Sequence, residues 1–436
     1  MNTNLRHRVG RFGREEDGSA TLMALYFSMI ILVVGGMAID FQKRQADARH
    51  LQLAADVAAH AALYTREFED ATIARATALD TLQNLLPRTN MDTAIGTADI
   101  TFGTWDFDTD TFTADPTSRE AVRVYAGMTE ARGNPTPNLL LRMIGFDTFN
   151  VAADSVYVTY RPPCFREGFV ADDVVNVQSN NFYGTGFCIH SNTYVSINNN
   201  NIFEEGSVVS MPNLEDLDIP NNGMQTNDGL DAALREGRYR LRILRQLPEM
   251  IDGLAMGHSH WTPDYITSNS IESISKKSLQ PTDFVQGRVH VHSCNGGKID
   301  IGAGLYHQVV LVTDCEIRMS NGAVLDEAIF ATRLQTARSI NGPQGFQLGR
   351  SDDCAPGGGA SLITLGGVSV AANLEAYNGQ ILAWQDIDFA ARADGIQGAS
   401  FMTYGRIDST SNMSMGFCDG KIQPELLSAD YYRMVD

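Results

Sequence analysis

From Ala20 to Ile39 the chain runs for twenty residues without a charge, close to the length at which a helix spans the hydrocarbon of a bilayer. The pattern then changes rather than stops. Asp40, Lys43 and Arg44 follow, and as far as Leu86 the apolar positions keep helical spacing, with Leu51, Ala54, Ala55, Ala58, Ala62 and Leu63 forming a stripe of small residues. Pro87 is the expected stop. Unbroken from Ala20, such a helix would reach on the order of 100 Å at 1.5 Å per residue, with Gly35-Gly36 as a place to bend. The stripe suits either packing onto the chain's own next domain or contact with another protein's helix. Residues 97–160 alternate as a small α/β unit, with strands expected at 98–102, 122–125 and 151–160 and a short helix at about 138–144.

Beyond Arg161-Pro162-Pro163 the texture shifts to short alternating strands separated by Asn and Gly turns, and it repeats. Val175-Asn176-Val177 and Phe182-Tyr183 recur twenty residues on as Val195-Ser196-Ile197 and Ile202-Phe203. Ile381, Leu382, Ile387 and Asp388 recur, again twenty on, as Phe401, Met402, Ile407 and Asp408; Ile299 and Ile301 recur eighteen on as Ile317 and Met319. One such rung cannot bury its inner face alone, whereas stacked rungs share a continuous core, so the period implies a right-handed β-solenoid. A β-sandwich with coincidental spacing is the competing fold. A helical insertion is expected at about 213–285. Within it Leu230 to Leu254 reads as one amphipathic helix, with Arg235, Arg238, Arg242 and Arg245 in a single sector and Pro248 kinking or ending it. That basic stripe is either a solvated face or a dock for an acidic partner.

Charge and cysteines sharpen the picture. The net charge is −19, with −20 carried beyond Ile39 against +1 before it, which argues against nucleic acid or an anionic lipid surface as a partner. Cys164, Cys188, Cys294, Cys315, Cys354 and Cys418 all follow the apolar span, as disulfides in an oxidising compartment would. Stacked rungs lie about 4.8 Å apart, within disulfide reach. Separations near one rung therefore pair Cys164 with Cys188 and Cys294 with Cys315, and elimination pairs Cys354 with Cys418. A cleaved signal peptide is the alternative to a membrane anchor, but its apolar region usually runs about 7–15 residues. Arg6, Arg8, Arg11 and Arg14 precede the span while Lys43, Arg44 and Arg49 follow it, a slight bias toward a cytoplasmic N-terminus.

Gly18-Ser19-Ala20, the span ending Gly36-Met37-Ala38-Ile39-Asp40, and the segment Leu51-Gln52-Leu53-Ala54-Ala55-Asp56-Val57-Ala58-Ala59 resemble the N-terminal segment of the Flp pilus assembly TadE/TadG-like family. The likeness covers roughly the first 65 residues and continues more weakly through Phe102-Gly103-Thr104-Trp105-Asp106. It implies a pilin-like build, membrane attachment, and other pilus or secretion-system envelope proteins as partners. Two departures limit it. Pseudopilins cut by prepilin peptidase carry Glu five residues after the cleaved Gly, where this chain has Met23. Asp408-Ser409-Thr410-Ser411 misses the spacing of the von Willebrand A-type metal site found in some relatives.

Candidate chemistry is sparse. Asp172-Asp173 and Asp352-Asp353 are the carboxylate pairs that polysaccharide hydrolysis would need at a set separation, yet neighbours on a strand face opposite ways. His290 and His292 share a strand face and could chelate zinc with a third ligand; His258-Ser259-His260 sits in a loop. Asp106-Phe107-Asp108-Thr109-Asp110 opens like a calcium loop but has Thr111 and Thr117 where Gly and Glu belong. No phosphate loop, nucleophile elbow or dinucleotide fingerprint occurs, so no cofactor or metal is expected. The expected organisation is a cytoplasmic tail (1–17), a transmembrane helix (18–40), a long amphipathic helix (41–86), a small α/β domain (87–160), a β-solenoid ectodomain (161–423) and a C-terminal tail (424–436). This describes a single-pass protein of a bacterial inner membrane with its bulk periplasmic or surface-exposed. Its work would be structural, in Flp-type pilus assembly. The alternatives are a surface adhesin or polysaccharide-binding protein and, further off, an anchored polysaccharide-processing enzyme.

Overall fold

A computed structural model describes residues 19–85, 93–257, 259–418 and 427–435. The chain divides into two units, residues up to Tyr160 together with 430–436, and residues 161–429. The second is inserted into the first along the sequence. Gly18, Pro87 and His258 lie outside the described residues.

In the first unit, helix α1 (Ser19–Arg66) carries both the apolar run and the small-residue stripe, continuous through Gly35 and Gly36. Its 48 residues extend about 70 Å. It ends at Arg66, well before Pro87. Arg66 Nη1 donates to the Glu69 carbonyl, and Asp70 starts a new helix by accepting the N–H groups of Thr72 and Ile73. Helix α2 (Ala71–Leu85) packs beside α1. An antiparallel sheet follows, made of β1 (Ile100–Asp106), β2 (Thr111–Ala114), β3 (Ala121–Met128) and β4 (Val151–Tyr160), in the order β2-β1-β3-β4. Leu51, Ala54, Ala55, Ala58, Ala62 and Leu63 are fully buried in one core with Phe102, Val122 and Val124. The stripe is therefore spent on the chain's own sheet, its alanines bringing helix and strands together.

Two local expectations change here. The helix foreseen at 138–144 shrinks to a single 3-10 turn, Leu141–Ile144. The flanking chain closes on itself instead: Asn138 donates its backbone N–H to Asp147 O and its side-chain amide to Phe146 O, and Thr136–Pro137 pairs with Thr148–Phe149. The C-terminal tail contributes a strand. Tyr431–Met434 adds antiparallel to the free edge of β4, held by Glu67, which accepts the Asp430 N–H at 3.0 Å and the Tyr432 hydroxyl at 2.5 Å. The calcium-like segment is a polar hairpin, with Asp106 Oδ1 accepting the N–H groups of Asp108 and Thr109.

The second unit consists mostly of short strands in parallel layers, and its registers follow the repeats. Cys188–Ser191 pairs with Gly168–Ala171 on one side and Val208–Met211 on the other, each partner twenty residues away. Ile381 lies beside Phe401, Ile387 beside Ile407, and Ile299 beside Ile317. Layer order departs from chain order. Ser400–Thr403 pairs with Gly168–Ala171 and Ile407 with Val175, so the last layer stacks on the first rather than ending the array. The chain therefore builds outward from an internal layer, crosses to the far end at Ile271–Ile274, and returns layer by layer to where it began.

The crossing carries α3 (Arg242–Met256), whose buried Ile243, Leu244, Leu247, Met250, Ile251 and Leu254 lie against strands of several layers. Pro248 sits inside this helix and supplies no N–H to the Leu244 carbonyl. The Trp384 indole N–H donates to that carbonyl at 2.6 Å, which is why the helix continues through the proline. The single helix expected over 230–254 is otherwise divided into a turn at Leu230–Ala233, a strand at Leu234–Glu236 that pairs with Val208–Met211, and α3. Arg235 and Arg238 are thus off the helix, and the four-arginine sector does not form. The 213–285 stretch also contributes the layer strands Ile271–Ile274 and Ser278–Leu279.

Stacked polar turns hold the register. Asn201 Oδ1 accepts the Asn181 N–H at 2.9 Å, Asn227 Oδ1 accepts the Asn201 N–H at 2.8 Å, and all three asparagines are buried. Each ladder residue of the first two layers follows an asparagine in the left-handed region, Asn180 at φ 60° and Asn200 at φ 62°, where asparagine is tolerated. Tyr183 and Phe203 stack above one another at 4.9 Å in the same layers. Asn201→Ala should strand the Asn181 N–H, while the Asn198 carbonyl keeps its bond from Asn227 Nδ2 at 2.8 Å. At about 1–3 kcal/mol for that one orphaned group, the thermal midpoint should fall by roughly 2–12 °C, against little change for the exposed Asn198→Ala. Thermal unfolding followed by circular dichroism reads the difference.

Candidate functional site

The residues of the N-terminal motif converge on one arrangement, a clasp between α1 and the loop that precedes β4. Asp40 accepts three consecutive backbone N–H groups, Leu139 at 2.7 Å through Oδ1 and Leu140 and Leu141 at 2.9 and 2.6 Å through Oδ2. One turn earlier Gly36 faces the same loop; a Cβ there would stand 3.0 Å from the Leu140 Cβ. One turn later Lys43 Nζ donates to the Pro137 carbonyl at 2.6 Å. Further along, Gln52 Nε2 donates to Asp56 Oδ1 at 2.9 Å and to the Asp154 carbonyl of β4 at 3.0 Å. Leu51, Ala55 and Ala58 are fully buried beneath the sheet. Ala20 to Ile39 is the opposite case, with Ile31 at 69 % and Leu32 at 72 % exposure, and it is long and apolar enough to cross a membrane.

One carboxylate of each pair noted in the sequence is held by neighbouring groups. Asp172 Oδ1 accepts from Asn192 Nδ2 at 2.7 Å. Asp352 is bound by Arg350 Nε at 2.8 Å and by the Ala355 N–H at 3.1 Å. A different group converges: Asp388 and Asp408 are direct partners in adjacent layers, with Asp386 close by and Arg406 within 3.9 Å of Asp386 and 3.5 Å of Asp408. The signal was present in the repeat, since Asp388 and Asp408 occupy equivalent positions. Burial, and then the neighbouring carboxylates of Asp408 and Asp386, raise the Asp388 carboxyl above its ordinary 3.8. An acid raised in the fold favours the native state fully below about pH 3.8 and withdraws that support as pH climbs through its folded value. Asp388→Asn should therefore stabilise the protein at pH 7 and not at pH 3.5, by an amount on the order of 1 kcal/mol or less given its partial exposure. Thermal melts of the two proteins at both pH values measure it.

The two histidines of Arg288–His292 are both buried but do not work together. His290 Nε2 accepts the Val285 N–H at 2.9 Å. His292 Nε2 faces the Lys276 carbonyl at 2.8 Å, which places the proton there and leaves Nδ1 facing Cys315 Sγ at 3.3 Å. The ligand-type atoms that gather are His292, Cys294 and Cys315 rather than the two histidines. Cys294 and Cys315 are bonded to each other, and a disulfide offers no thiolate to a metal. Cys164–Cys188 and Cys354–Cys418 are bonded as well, with Cα separations of 4.8, 5.7 and 5.6 Å for the three bridges in chain order.

A polar cleft in the second unit was not foreseen as such. It is lined by Asp172, Arg238, Tyr239, Arg240, Arg245 and Tyr404. Asn192 fixes its rim, accepting the Tyr239 N–H at 3.0 Å and donating to the Tyr239 carbonyl at 2.7 Å, while buried His190 supports Asn192 from behind at 3.0 Å.

The apolar helix runs unbroken into the core of a small antiparallel α/β unit. Residues 47–156 match the family described as Tad-like Flp pilus-assembly. Residues 168–419, more than half of the chain, match the family described as domain of unknown function DUF7867, and the chain belongs to that family. No curated protein and no solved structure matches it.

Proposed function

We propose that this chain is a single-pass structural component of Tad pilus assembly, anchored in a bacterial inner membrane by Ala20 to Ile39 and working through protein contacts on the periplasmic side. The observation that carries the reading is the continuity of α1. The apolar run passes into the core of the very unit that matches the Tad-like pilus-assembly family. The parallel layers of the second unit are read as a right-handed β-solenoid, supported by their twenty-residue register and by the strong preference of parallel crossovers for that hand. Disulfides confined to that unit favour export.

Deleting the gene should abolish or sharply reduce pili, attachment and biofilm, and the wild-type chain should restore them. A chain with Asp172, Asp173, Asp352 and Asp353 all replaced by Asn should restore them nearly as well. Alkaline phosphatase fused after Pro87 should be active, and the protein should fractionate with membranes. Normal pili in the deletion strain would end the assembly reading, and soluble periplasmic protein lacking the first 38 residues would end the anchor. The cleft of Arg238, Tyr239, Arg245 and Tyr404 favours a second reading, a polysaccharide-binding surface for acidic sugars. Binding of polyuronate to the full chain, lost in Arg245→Glu, is its test.

A further inference from the structure

The loop held by Asp40 exposes a run of large apolar side chains: Leu139 at 54 %, Met143 at 80 %, Ile144 at 51 % and Phe146 at 62 %. Leu141, between them, is buried and roots the loop in its own unit. The loop's level along α1 is set by Gly36, Asp40 and Lys43, which meet Leu140, the N–H groups of Leu139 to Leu141, and Pro137 respectively. Asp40 directly follows the last residue of the uncharged run, so the loop stands beside its final turn, where Val34, Met37 and Ile39 are also more than half exposed. Six of its eight backbone N–H groups have partners within the unit. Asp40 takes the N–H groups of Leu139, Leu140 and Leu141, while those of Met143, Gly145 and Phe146 go to the carbonyls of Leu140, Arg142 and Leu141. A loop facing water needs no such closure; one entering a medium without water does. Lys43, bonded to the Pro137 carbonyl, and Arg44, over the Phe149 ring, flank the loop, and exposed Arg142 lies within it, cations of the kind that lipid phosphates attract.

We propose that residues 139–146 are a second membrane contact, inserting Leu139, Met143, Ile144 and Phe146 into the boundary between headgroups and acyl chains of the bilayer that α1 crosses. The proposal rests on the reading of Ala20 to Ile39 as a retained anchor. A helix alone leaves its unit free to tilt and rotate about one axis. A helix and a wedge rigidly joined by Asp40 fix which face of the first unit is turned toward the membrane. Lipid is the occupant because the apolar groups continue the surface of the span itself, and because the opposite end of the sheet, at the β1–β2 hairpin, is polar apart from Phe107.

The test is photocrosslinking of the full chain in bacterial membranes, with p-benzoylphenylalanine in place of Met143 or Phe146. The same group in place of Leu32 reports on the span, and in place of Phe107 on the far end of the sheet. Phospholipid adducts identified by mass spectrometry should form at 143 and 146 about as readily as at 32, and at least tenfold more than at 107. Lipid adducts at 32 with protein adducts at 143 and 146 would make the loop a docking surface for another protein and overturn the proposal. Yields at 143 and 146 no higher than at 107 would show a solvent-facing loop and overturn it equally. Absence of lipid adducts at 32 would remove the anchor itself, and the wedge with it.

Discussion

Replacing Ala58 with Asp should unfold the first unit. Ala58 is fully buried on α1 in the core that holds Phe102, Val122 and Val124, and the arginines over the Phe102 ring, Arg66 and Arg75, already donate to backbone carbonyls. Burying an unpaired carboxylate costs several kcal/mol even after the group shifts toward its neutral form. That is comparable to the whole stability of a domain, about 5–15 kcal/mol. Limited proteolysis should find residues 93–160 cleaved rapidly while the parallel layers of the second unit, with their own core and disulfides, resist. Leu53→Asp is the matched control, since Leu53 is 48 % exposed on the other face of the same helix; it should cost about 1 kcal/mol at most. Equal protease resistance in the two variants would mean that the stripe is not the core contact described above.

Asp40→Ala should release the clasp. Three N–H groups would lose a charged acceptor, and hydrogen bonds to charged groups are worth about 1.5–3 kcal/mol each, with the penalty for a stranded buried donor of similar size. Not all of this is additive, since water can reach part of an opened loop, and a local loss of about 3–5 kcal/mol is expected. Amide exchange at Leu139 to Leu141 should accelerate by about two to three and a half orders of magnitude, each 1.4 kcal/mol being a factor of ten. Asp40→Asn keeps one acceptor oxygen but turns an N–H₂ toward backbone donors, so it should fall between the two. Pilus assembly should follow the exchange data if loop position matters to function. Unchanged protection in Asp40→Ala would dismiss the clasp as an incidental contact.

The layered registers were legible because stacking repeats one chemical environment at a fixed offset. Val175 and Val195, or Ile381 and Phe401, need the same inward position, and the intervening Asn and Gly turns need the same backbone, so equivalent residues recur at about twenty. The spacing of Cys294 to Cys315 belongs to the same arithmetic, whereas Cys188 is in register with Gly168 and bonds to Cys164 on the turn before that strand. The division of Leu230 to Leu254 was not legible, because helical periodicity over so short a stretch also fits a turn, a strand and a later helix. Pro248 gave no warning of its outcome either, since what rescues it is Trp384, a partner far along the chain.

Left to itself, then, the sequence determined what local repetition can encode: an apolar helix of membrane length, a small-residue stripe, and strands with one inward face at a regular period. Tertiary structure decided which free edge met which. Every layer offers the same row of N–H and C=O groups above and below, so nothing local distinguishes the strand that will cover Gly168–Ala171. Ser400–Thr403 does so only because the completed array returns there. Tyr431–Met434 finds the edge of β4 by the same rule, and Asp40 finds three amides about a hundred residues away. Those pairings gain their free energy only after the intervening chain is ordered, and that dependence on closure leaves no periodic trace in the residues themselves.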